Sequence, residues 1–254
     1  MPLRPLVVLT TTVSVDGRVT PTRSERLLDP DVDARWRAAW PADVVGLIEQ
    51  RQRWIEEHHA PTVVLEGSGT FVAAESPSPW ADALAHGRQL YVDFLPRLTP
   101  RWFVVVDGRG RIEWEFTGDD ETALVVLVCR ATPVGYLRRL RTLGVGYLVV
   151  GDERVDLARA LTRIRTALDA RAVIADGGGG LNGALLRSGL IDEVHVITFP
   201  ALVGGLGTPT FLDGPPLPPG SHLVPLRPLS LVQGDMGSVL VRYEVQHPTG
   251  PPRS

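Results

Sequence analysis

The sequence predicts an α/β fold with one mostly parallel sheet and antiparallel strands at its C-terminal edge. Short apolar runs alternate with segments of helical periodicity through residues 123–199, which is typical of parallel strands buried on both faces. Residues 223–232 and 238–246 alternate apolar and polar residues around a Gly-Asp-Met-Gly turn, which predicts a terminal hairpin. Because no linker interrupts this order, we predict a single domain over residues 1–247 and a disordered tail over residues 248–254.

The first part of the chain predicts two strands and a long helix. Residues 6–13 are apolar and β-branched, so they predict a strand that ends at an Asp-Gly turn, and a polar loop over residues 21–33 follows. Residues 41–59 begin with proline and carry apolar residues on one side, which predicts a helix. A buried strand is predicted over residues 62–65, and a short helix over residues 81–88.

The middle of the chain supplies most of the predicted sheet. Strands are predicted over residues 102–106, 112–116, 123–129 and 146–150. An Asp-Gly turn joins the first two, and the alternation in residues 112–116 predicts an edge strand. Thr132 and Asp156 are each placed to cap a following helix, and the helix after Asp156 has the clearest apolar periodicity.

A glycine loop lies between a short apolar strand, residues 172–175, and a predicted helix over residues 181–188; the next strand is predicted over residues 194–199. Bare N–H groups at a helix start, together with the helix dipole, favour an anion, so this arrangement predicts phosphate binding. A glycine-rich turn without a ligand is the alternative.

The loop also fits the G-x-G-x-x-G pattern of dinucleotide-binding Rossmann units, through Gly178, Gly180 and Gly183. That unit requires an acidic residue at the end of the second strand. Asp192 and Glu193 instead precede the strand. The motif also lies late in the chain, so a full doubly wound domain is not indicated.

Composition argues against several other classes of function. The 254 residues carry a net charge of −3, so no basic surface indicates nucleic acid. No apolar run is long enough to span a bilayer. A single cysteine, Cys129, excludes an internal disulfide and fits a reducing cytoplasm. We expect no metal site, because the neighbouring His58 and His59 point apart on a helix.

Three stretches resemble the RibD C-terminal domain family, which belongs to the dihydrofolate reductase-like superfamily. Residues 13–19, Val-Ser-Val-Asp-Gly-Arg-Val, are similar to its first-strand motif SLDG-[KR]-I/V. Residues 62–70, Thr-Val-Val-Leu-Glu-Gly-Ser-Gly-Thr, resemble its motif DAVLVGAGT. Residues 156–211 are similar to its longest signature, VDL…LLVEGG…LNGALL…GLVDELHL.

The resemblance implies a three-layer α/β/α dihydrofolate reductase-like fold, commonly in a homodimer, and NADPH-dependent reduction of a small molecule. The best-known member, 5-amino-6-(5-phosphoribosylamino)uracil reductase, converts the ring-opened ribosylamino group of a pyrimidine 5′-phosphate to a ribitylamino group in riboflavin biosynthesis. By this resemblance we expect hydride transfer from NADPH to a C=N bond.

The resemblance also implies which residues bind the two molecules. Arg130 and Thr132 are expected to contact the adenosine 2′-phosphate, although a surface role for Arg130 fits equally well. Cofactor contacts are further expected from Gly67, Gly69, Thr70, Gly177, Gly178, Gly179, Gly180 and Leu181. Substrate contacts are expected from Thr10, Thr12, Asp16 and Ser24.

The proton that accompanies the hydride needs a donor, and Asp176 and Asp16 are the candidate catalytic residues. For each carboxylate a structural role is the alternative, Asp176 as an anchor at the helix start and Asp16 as a turn residue. A water molecule is a further candidate donor.

Three departures from the family pattern concern the substrate side. Thr10 stands where riboflavin-pathway members often carry lysine, and Asp176 replaces the glutamate of the Glu-Gly-Gly motif. Residues 24–61 are longer and richer in tryptophan than usual. Two alternatives therefore stay open: a reductase of another heterocycle, such as a pterin or a specialised-metabolite precursor, and a non-catalytic nucleotide-binding homologue.

Overall fold

A computed structural model describes residues 4–73, 75–80 and 87–247. The predicted tail, residues 248–254, lies outside the described residues, as do residues 81–86 of the helix predicted over 81–88. The strands are β1 (Leu6–Ser14), β2 (Val63–Gly67), β3 (Arg101–Val106), β4 (Thr122–Val128), β5 (Gly146–Val149), β6 (Ala172–Ala175), β7 (Glu193–Phe199), β8 (Leu226–Gln233) and β9 (Val239–Val245). The helices are α1 (Pro30–Ala38), α2 (Asp43–His59), α3 (Val134–Thr142), α4 (Leu157–Ala167) and α5 (Gly179–Arg187).

The described strands form one sheet with the order β5-β4-β3-β2-β6-β1-β7-β9-β8. Neighbouring strands from β5 to β7 run parallel, and β9 pairs antiparallel with both β7 and β8. This arrangement confirms the predicted mostly parallel sheet with a C-terminal antiparallel hairpin. The first and sixth strands lie side by side at the centre, so the N-terminal strand and the glycine loop come together.

Helices cover both faces of the sheet, which confirms the three-layer architecture. Val125 and Leu127 of β4 pack in one apolar cluster with residues of α4 and α5. Val126 and Val128 pack in a second cluster, with residues of α3. Successive residues of a strand point to opposite faces, so these helices lie on opposite sides. The parallel strands therefore bury both faces, as their continuous apolar runs predict.

One prediction for the N-terminal region was wrong, because α1 lies where the end of a polar loop was expected. The helix begins at Pro30, and the Asp29 side chain accepts a hydrogen bond from the Asp31 amide at 3.0 Å. An aspartate cap followed by proline at the first helical position is a strong helix start. The helix then buries Trp36 against Phe199 of β7, with ring centroids 5.3 Å apart.

The predicted strand over residues 112–116 was also wrong. The Asp107 carboxylate accepts hydrogen bonds from the amides of Arg111, at 2.7 Å, and Ile112, at 3.0 Å, so these donors are taken. Both edges of β3 are already paired, with β2 and β4. The segment instead buries Trp114, whose indole donates to the Tyr136 hydroxyl at 2.7 Å. Its alternation therefore reflects packing against α3.

Candidate active site

A cleft of about 2020 Å³ opens where the parallel strands end. Residues at the carboxyl ends of β2, β3 and β6 line it, together with the second half of β1. Ligands of open α/β sheets bind in such a crevice, outside the carboxyl ends of the strands. The cleft is therefore the candidate active site.

Two glycine-rich segments lie side by side at the edge of this cleft, after the neighbouring strands β2 and β6. A Cβ added at Gly69, Gly178 or Gly180 would meet no atom within 4 Å, so these residues leave open space beside the backbone. Gly67 and Gly177 serve close packing instead, because their added Cβ atoms would lie 3.2 Å and 2.9 Å from the Leu181 side chain. The bare backbone leaves room for an extended ligand to approach both strand ends.

Helix α5 begins inside the cleft with Gly178 as its N-cap, and this cap makes no side-chain hydrogen bond. The amide groups of its first turn and its dipole therefore favour an anion at this end. Gly179 packs against the backbone near Thr210 and Asp213, and the Leu181 side chain lies in the apolar core. These two residues can contact a ligand only through the backbone at this helix end.

Two carboxylates stand side by side at the ends of β2 and β6. Leu65 of β2 pairs with Ala175, the last residue of β6, so the next residues, Glu66 and Asp176, are neighbours across the two strands, and both line the cleft. The Thr10 hydroxyl donates to the Asp176 carboxylate at 2.9 Å. Thr12 lies two residues further along β1 and also lines the cleft. Sequence reasoning placed Asp176, Thr10 and Thr12 here but missed Glu66.

Glu66 is the carboxyl group with the most perturbed environment in the cleft. Its pKa is raised to about 7: burial is the largest cause, a hydrogen bond with Thr70 opposes it, and the nearby Asp176 charge adds to it. Its Oε2 atom is buried and has no hydrogen-bond partner among the described residues. Glu66 therefore holds a proton at neutral pH about as often as not.

A buried arginine reaches the same cluster from α2. Arg51 donates from Nη1 to the Thr11 carbonyl at 2.8 Å and is only 7% exposed. Burial lowers its pKa, and the Asp176 charge opposes that effect. The sequence carries a signal for this residue, since Arg51 falls on the buried side of α2 with Val44, Leu47 and Ile55. A charged residue on that face needs a polar partner inside the protein.

Comparison with known proteins decides the family. The sequence profile of the RibD C-terminal domain matches residues 5–240. The chain belongs to the RibD C-terminal domain family.

Two relatives carry the same name. The 2,5-diamino-6-ribosylamino-4(3H)-pyrimidinone 5′-phosphate reductase of Aquifex aeolicus is 24% identical over 213 residues, 83% of this chain and 84% of the relative. The reductase of that name from Archaeoglobus fulgidus is 33% identical over 112 residues, 44% of this chain and 50% of the relative. The chain is thus a member of a family of reductases.

RibD of Acinetobacter baumannii has a similar structure, with a TM-score of 0.63 at 21% identity over 96% of this chain. This likeness supports the fold described above. The alignment spans 59% of that longer protein.

A reductase of this family implies a nicotinamide cofactor, and the cleft fits one. The open space beside Gly69, Gly178 and Gly180 accepts a ligand that lies directly on the backbone. The uncapped start of α5 offers amide donors to a pyrophosphate. No group of three or more histidine, cysteine or acidic side chains in the described residues could hold a metal ion. No helix among those residues has the length and apolar character of a membrane span.

The structure corrects the expectation for Asp16, which does not line the cleft. Its carboxylate accepts hydrogen bonds from the Ser14 hydroxyl at 2.6 Å and from the amides of Gly204, at 2.7 Å, and Val203, at 3.2 Å. These bonds hold the pKa of Asp16 well below its usual range, with the Ser14 bond as the largest cause. A carboxylate that stays ionised cannot donate a proton, so Asp16 anchors the loop after β7.

The expectations for Arg130 and Thr132 also need correction. Thr132 is fully buried, and its hydroxyl donates to the Gly108 carbonyl at 2.6 Å, so it joins two loops rather than touching a ligand. It does not cap α3, whose N-cap is Pro133. Arg130 is exposed beside Asp152, at 3.4 Å, and is not among the residues that line the cleft.

Three other arginines line the cleft near the end of β3: Arg109, Arg111 and Arg154. Arg111 is buried and donates to the Ser68 hydroxyl and the Ala73 carbonyl, both at 2.7 Å, so it fixes the loop after β2. Sequence reasoning missed these residues because it treated the Asp-Gly turn at residues 107–110 as a hairpin. A turn at the carboxyl end of a parallel strand belongs to the binding edge of the sheet.

Another part of the cleft is lined by residues of β1, of α1 and of the loop before α1. Ser24 lies exposed on its rim, with its hydroxyl 3.4 Å from that of Thr22. Trp36 and Trp40 of the unexpected helical region line this side as well. The tryptophan-rich insertion therefore shapes the space opposite the glycine segments.

Proposed function

We propose that this protein is a cytoplasmic, NADPH-dependent reductase of riboflavin biosynthesis. Its substrate would be a pyrimidine ribosyl 5′-phosphate whose open-ring imine carbon receives a hydride. The proposal rests on membership of the RibD C-terminal domain family and on relatives named as reductases of such a compound. The single observation in the molecule that supports it best is the paired glycine cradle, open at Gly69, Gly178 and Gly180, next to carboxylates.

In this proposal, one set of residues in the cleft binds the cofactor and another set binds the substrate. The backbone of the glycine loop and of α5 would hold the cofactor pyrophosphate, and a bound reduced nicotinamide supplies the hydride. Thr10, Thr12 and Ser24 lie on the other side, where they can orient a polyhydroxyl substrate through hydrogen bonds. Arg18 and Arg23 line the same side and suit the substrate phosphate. A carboxyl group at the strand ends can supply the proton.

The decisive experiment is NADPH oxidation with the diaminopyrimidine ribosyl 5′-phosphate, followed by absorbance of the reduced cofactor, with product identified by mass spectrometry. We expect saturable turnover and a product that has gained one hydride and one proton. No oxidation with this substrate, in the presence of demonstrated NADPH binding, would remove the riboflavin assignment.

A second candidate is the reduction of another heterocycle, such as a pterin or a specialised-metabolite intermediate. Thr10 in place of the frequent lysine and the tryptophans of the α1 region favour it, because both change the substrate side. Turnover of a dihydropterin or another cyclic imine, without turnover of the pyrimidine ribosyl phosphate, would establish this alternative.

NADPH is proposed over NADH because of the arginines at the β3 end of the cleft. Arg109 and Arg154 line that end, and a guanidinium can bind the 2′-phosphate with two parallel hydrogen bonds. Isothermal titration with both cofactors tests this. We expect NADPH to bind at least about tenfold more tightly, and Arg154→Gln to reduce the difference. Equal affinities in the wild type would contradict the assignment.

We propose that the protein is a homodimer, with β8 at the subunit interface. This strand pairs only with β9 among the described strands, and Leu226, Leu229 and Leu231 are exposed on it. An exposed, apolar edge strand is a surface suited to pairing with a second subunit. Sedimentation equilibrium should give twice the mass of one chain, and Leu231→Glu should shift the protein towards monomer. A monomeric wild type at micromolar concentration would contradict the proposal.

A further inference from the structure

Glu66 is a carboxyl group that the family resemblance did not assign to the site. The related strand motif, DAVLVGAGT, has valine at the position of Glu66. Glu66 lies in β2 just beyond Leu65, the last residue of that strand paired with β6, and lines the cleft, where its Oε2 atom is buried without a hydrogen-bond partner among the described residues. A buried carboxyl group at a position where the motif carries valine costs stability unless the group is hydrogen-bonded or paired.

Asp176 is its neighbour on the next strand. The Asp176 amide donates to the Leu65 carbonyl at 3.2 Å, which fixes the two strand ends side by side. Strands in a sheet lie about 4.8 Å apart, so side chains at matched positions on one face are in direct reach. Asp176 is exposed to the cleft, and the Thr10 hydroxyl donates to its carboxylate at 2.9 Å.

The charges around the pair favour one proton between the two carboxyls. Arg51 on α2 is the cation that acts on Asp176, and Asp176 in turn acts on Glu66. Two carboxylates in one partly buried site do not both ionise readily. Burial raises the pKa of Glu66 to about 7, which makes Glu66 the resting place of that proton.

We propose that Glu66 and Asp176 form a proton-sharing pair, and that this pair is the acid that protonates the substrate nitrogen. The inference rests on the proposed reductase function. Asp176, which faces the cleft, is the catalytic residue, and Glu66 is a positioning residue that stores the proton behind it.

The step balances in atoms and charge. The hydride and its electron pair come from the reduced nicotinamide dinucleotide and form a C–H bond at the imine carbon. The π electrons of the C=N bond move to nitrogen, which takes the proton from the pair and becomes an amine. The pair is left fully ionised and regains its proton from solvent.

The test uses the full-length protein with the variants Glu66→Gln, Glu66→Val and Asp176→Asn. Valine is the residue of the related motif, so Glu66→Val keeps the experiment informative if Glu66→Gln does not fold. Glu57→Gln is the matched control, because Glu57 is an exposed carboxylate on α2. Turnover with NADPH and the pyrimidine ribosyl phosphate is measured from mildly acidic to mildly alkaline pH, and NADPH affinity by titration.

We expect wild-type kcat to fall about tenfold per pH unit above neutrality, as protonated acid is lost. Both Glu66→Gln and Glu66→Val should lower kcat at neutral pH by about 100-fold and abolish the fall of kcat above neutral pH. The dissociation constant for NADPH should stay within about twofold of the wild-type value. Compared with these two variants, Glu66→Asp should restore much of kcat and also the fall of kcat above neutral pH. If kcat of Glu66→Gln or Glu66→Val still fell with pH above neutrality as in the wild type, the inference would be overturned.

A measurement without cofactor tests the pair independently of turnover. In protein labelled with ¹³C at the glutamate carboxyl carbons, one resonance should titrate near neutral pH and be missing in Glu66→Gln. Asp176→Asn should shift that titration to lower pH, because the neighbouring charge is gone. No glutamate titrating near neutral pH would refute the pair. Failure of wild-type turnover, with this titration intact, would instead refute the proposed function and leave the pair in place.

Discussion

The buried carboxyl of Glu66 makes a prediction about stability that needs no ligand. Its pKa is about 7 in the folded protein, against an ordinary value of 4.5. Between these values the folded state binds more protons than the unfolded state, so stability must fall as pH rises. The contribution is fully present below pH 4.5 and is lost as pH rises through about 7. Glu66→Gln removes this dependence, because an amide does not titrate.

The size of the effect follows from the shift. One pKa unit corresponds to about 1.4 kcal/mol, so a shift from 4.5 to about 7 corresponds to about 3 kcal/mol between acid and alkaline pH. Glutamine has nearly the shape of protonated glutamic acid, so the variant should match the wild type near pH 4.5. At about pH 8.5 it should be more stable than the wild type by about 3 kcal/mol.

The assay is urea unfolding of the wild type and the variant at a series of pH values, followed by circular dichroism. The informative quantity is the difference in free energy of unfolding, because groups away from Glu66 titrate equally in both proteins and cancel. Glu57→Gln should show a difference that does not change with pH. A constant difference for Glu66→Gln as well would refute the reasoning, since Glu66 would then titrate as an ordinary exposed carboxyl.

Three further predictions concern the glycine cradle and the core. Gly178→Val should weaken NADPH binding at least about tenfold in a titration, because the valine side chain would enter open space in the cleft. The control Gly46→Ala on α2 should leave NADPH binding unchanged. Equal binding by the Gly178 variant would place the pyrophosphate elsewhere. Asp156→Ala should cost about 1 kcal/mol in urea unfolding, because the carboxylate caps α4 through the Arg159 amide; no loss would mean that the cap is dispensable. Phe199→Ala should cost about 3–5 kcal/mol in the same assay, because the ring is fully buried against two tryptophans; a loss below about 1 kcal/mol would mean that the site collapses onto the cavity.

Most of the sheet was predictable because its strands carry their own signal. Parallel strands are buried on both faces, so continuous apolar runs such as that of β4 mark them. Helix α4 was equally clear, with an aspartate cap and regular apolar spacing. The strand predicted over residues 112–116 was wrong because its local pattern misled. Its alternation satisfied the strand pattern, but the neighbours that a strand would need were already paired.

The candidate site was predictable only where it follows a motif. Asp176 and the glycine loop line the cleft, and both belong to a segment that resembles the family. Thr10, which lies just before the first of those segments, lines the cleft as well. Thr132 was expected at the 2′-phosphate from the family resemblance, whereas its buried hydroxyl bonds to the loop after β3. That contact joins residues 24 positions apart, and no local pattern contains it.

The sequence by itself determined the α/β class, the C-terminal hairpin and the bare backbone of the glycine loop, because periodicity and missing side chains are local properties of the polypeptide. Only the tertiary structure decided which polar residues meet. Pairing of β6 with both β1 and β2 brings Thr10, Glu66 and Asp176 to one edge, although they are far apart in sequence. The pKa of Glu66 depends on this proximity, because burial and a neighbouring charge shift it. Both are set by the tertiary structure and not by the residue type.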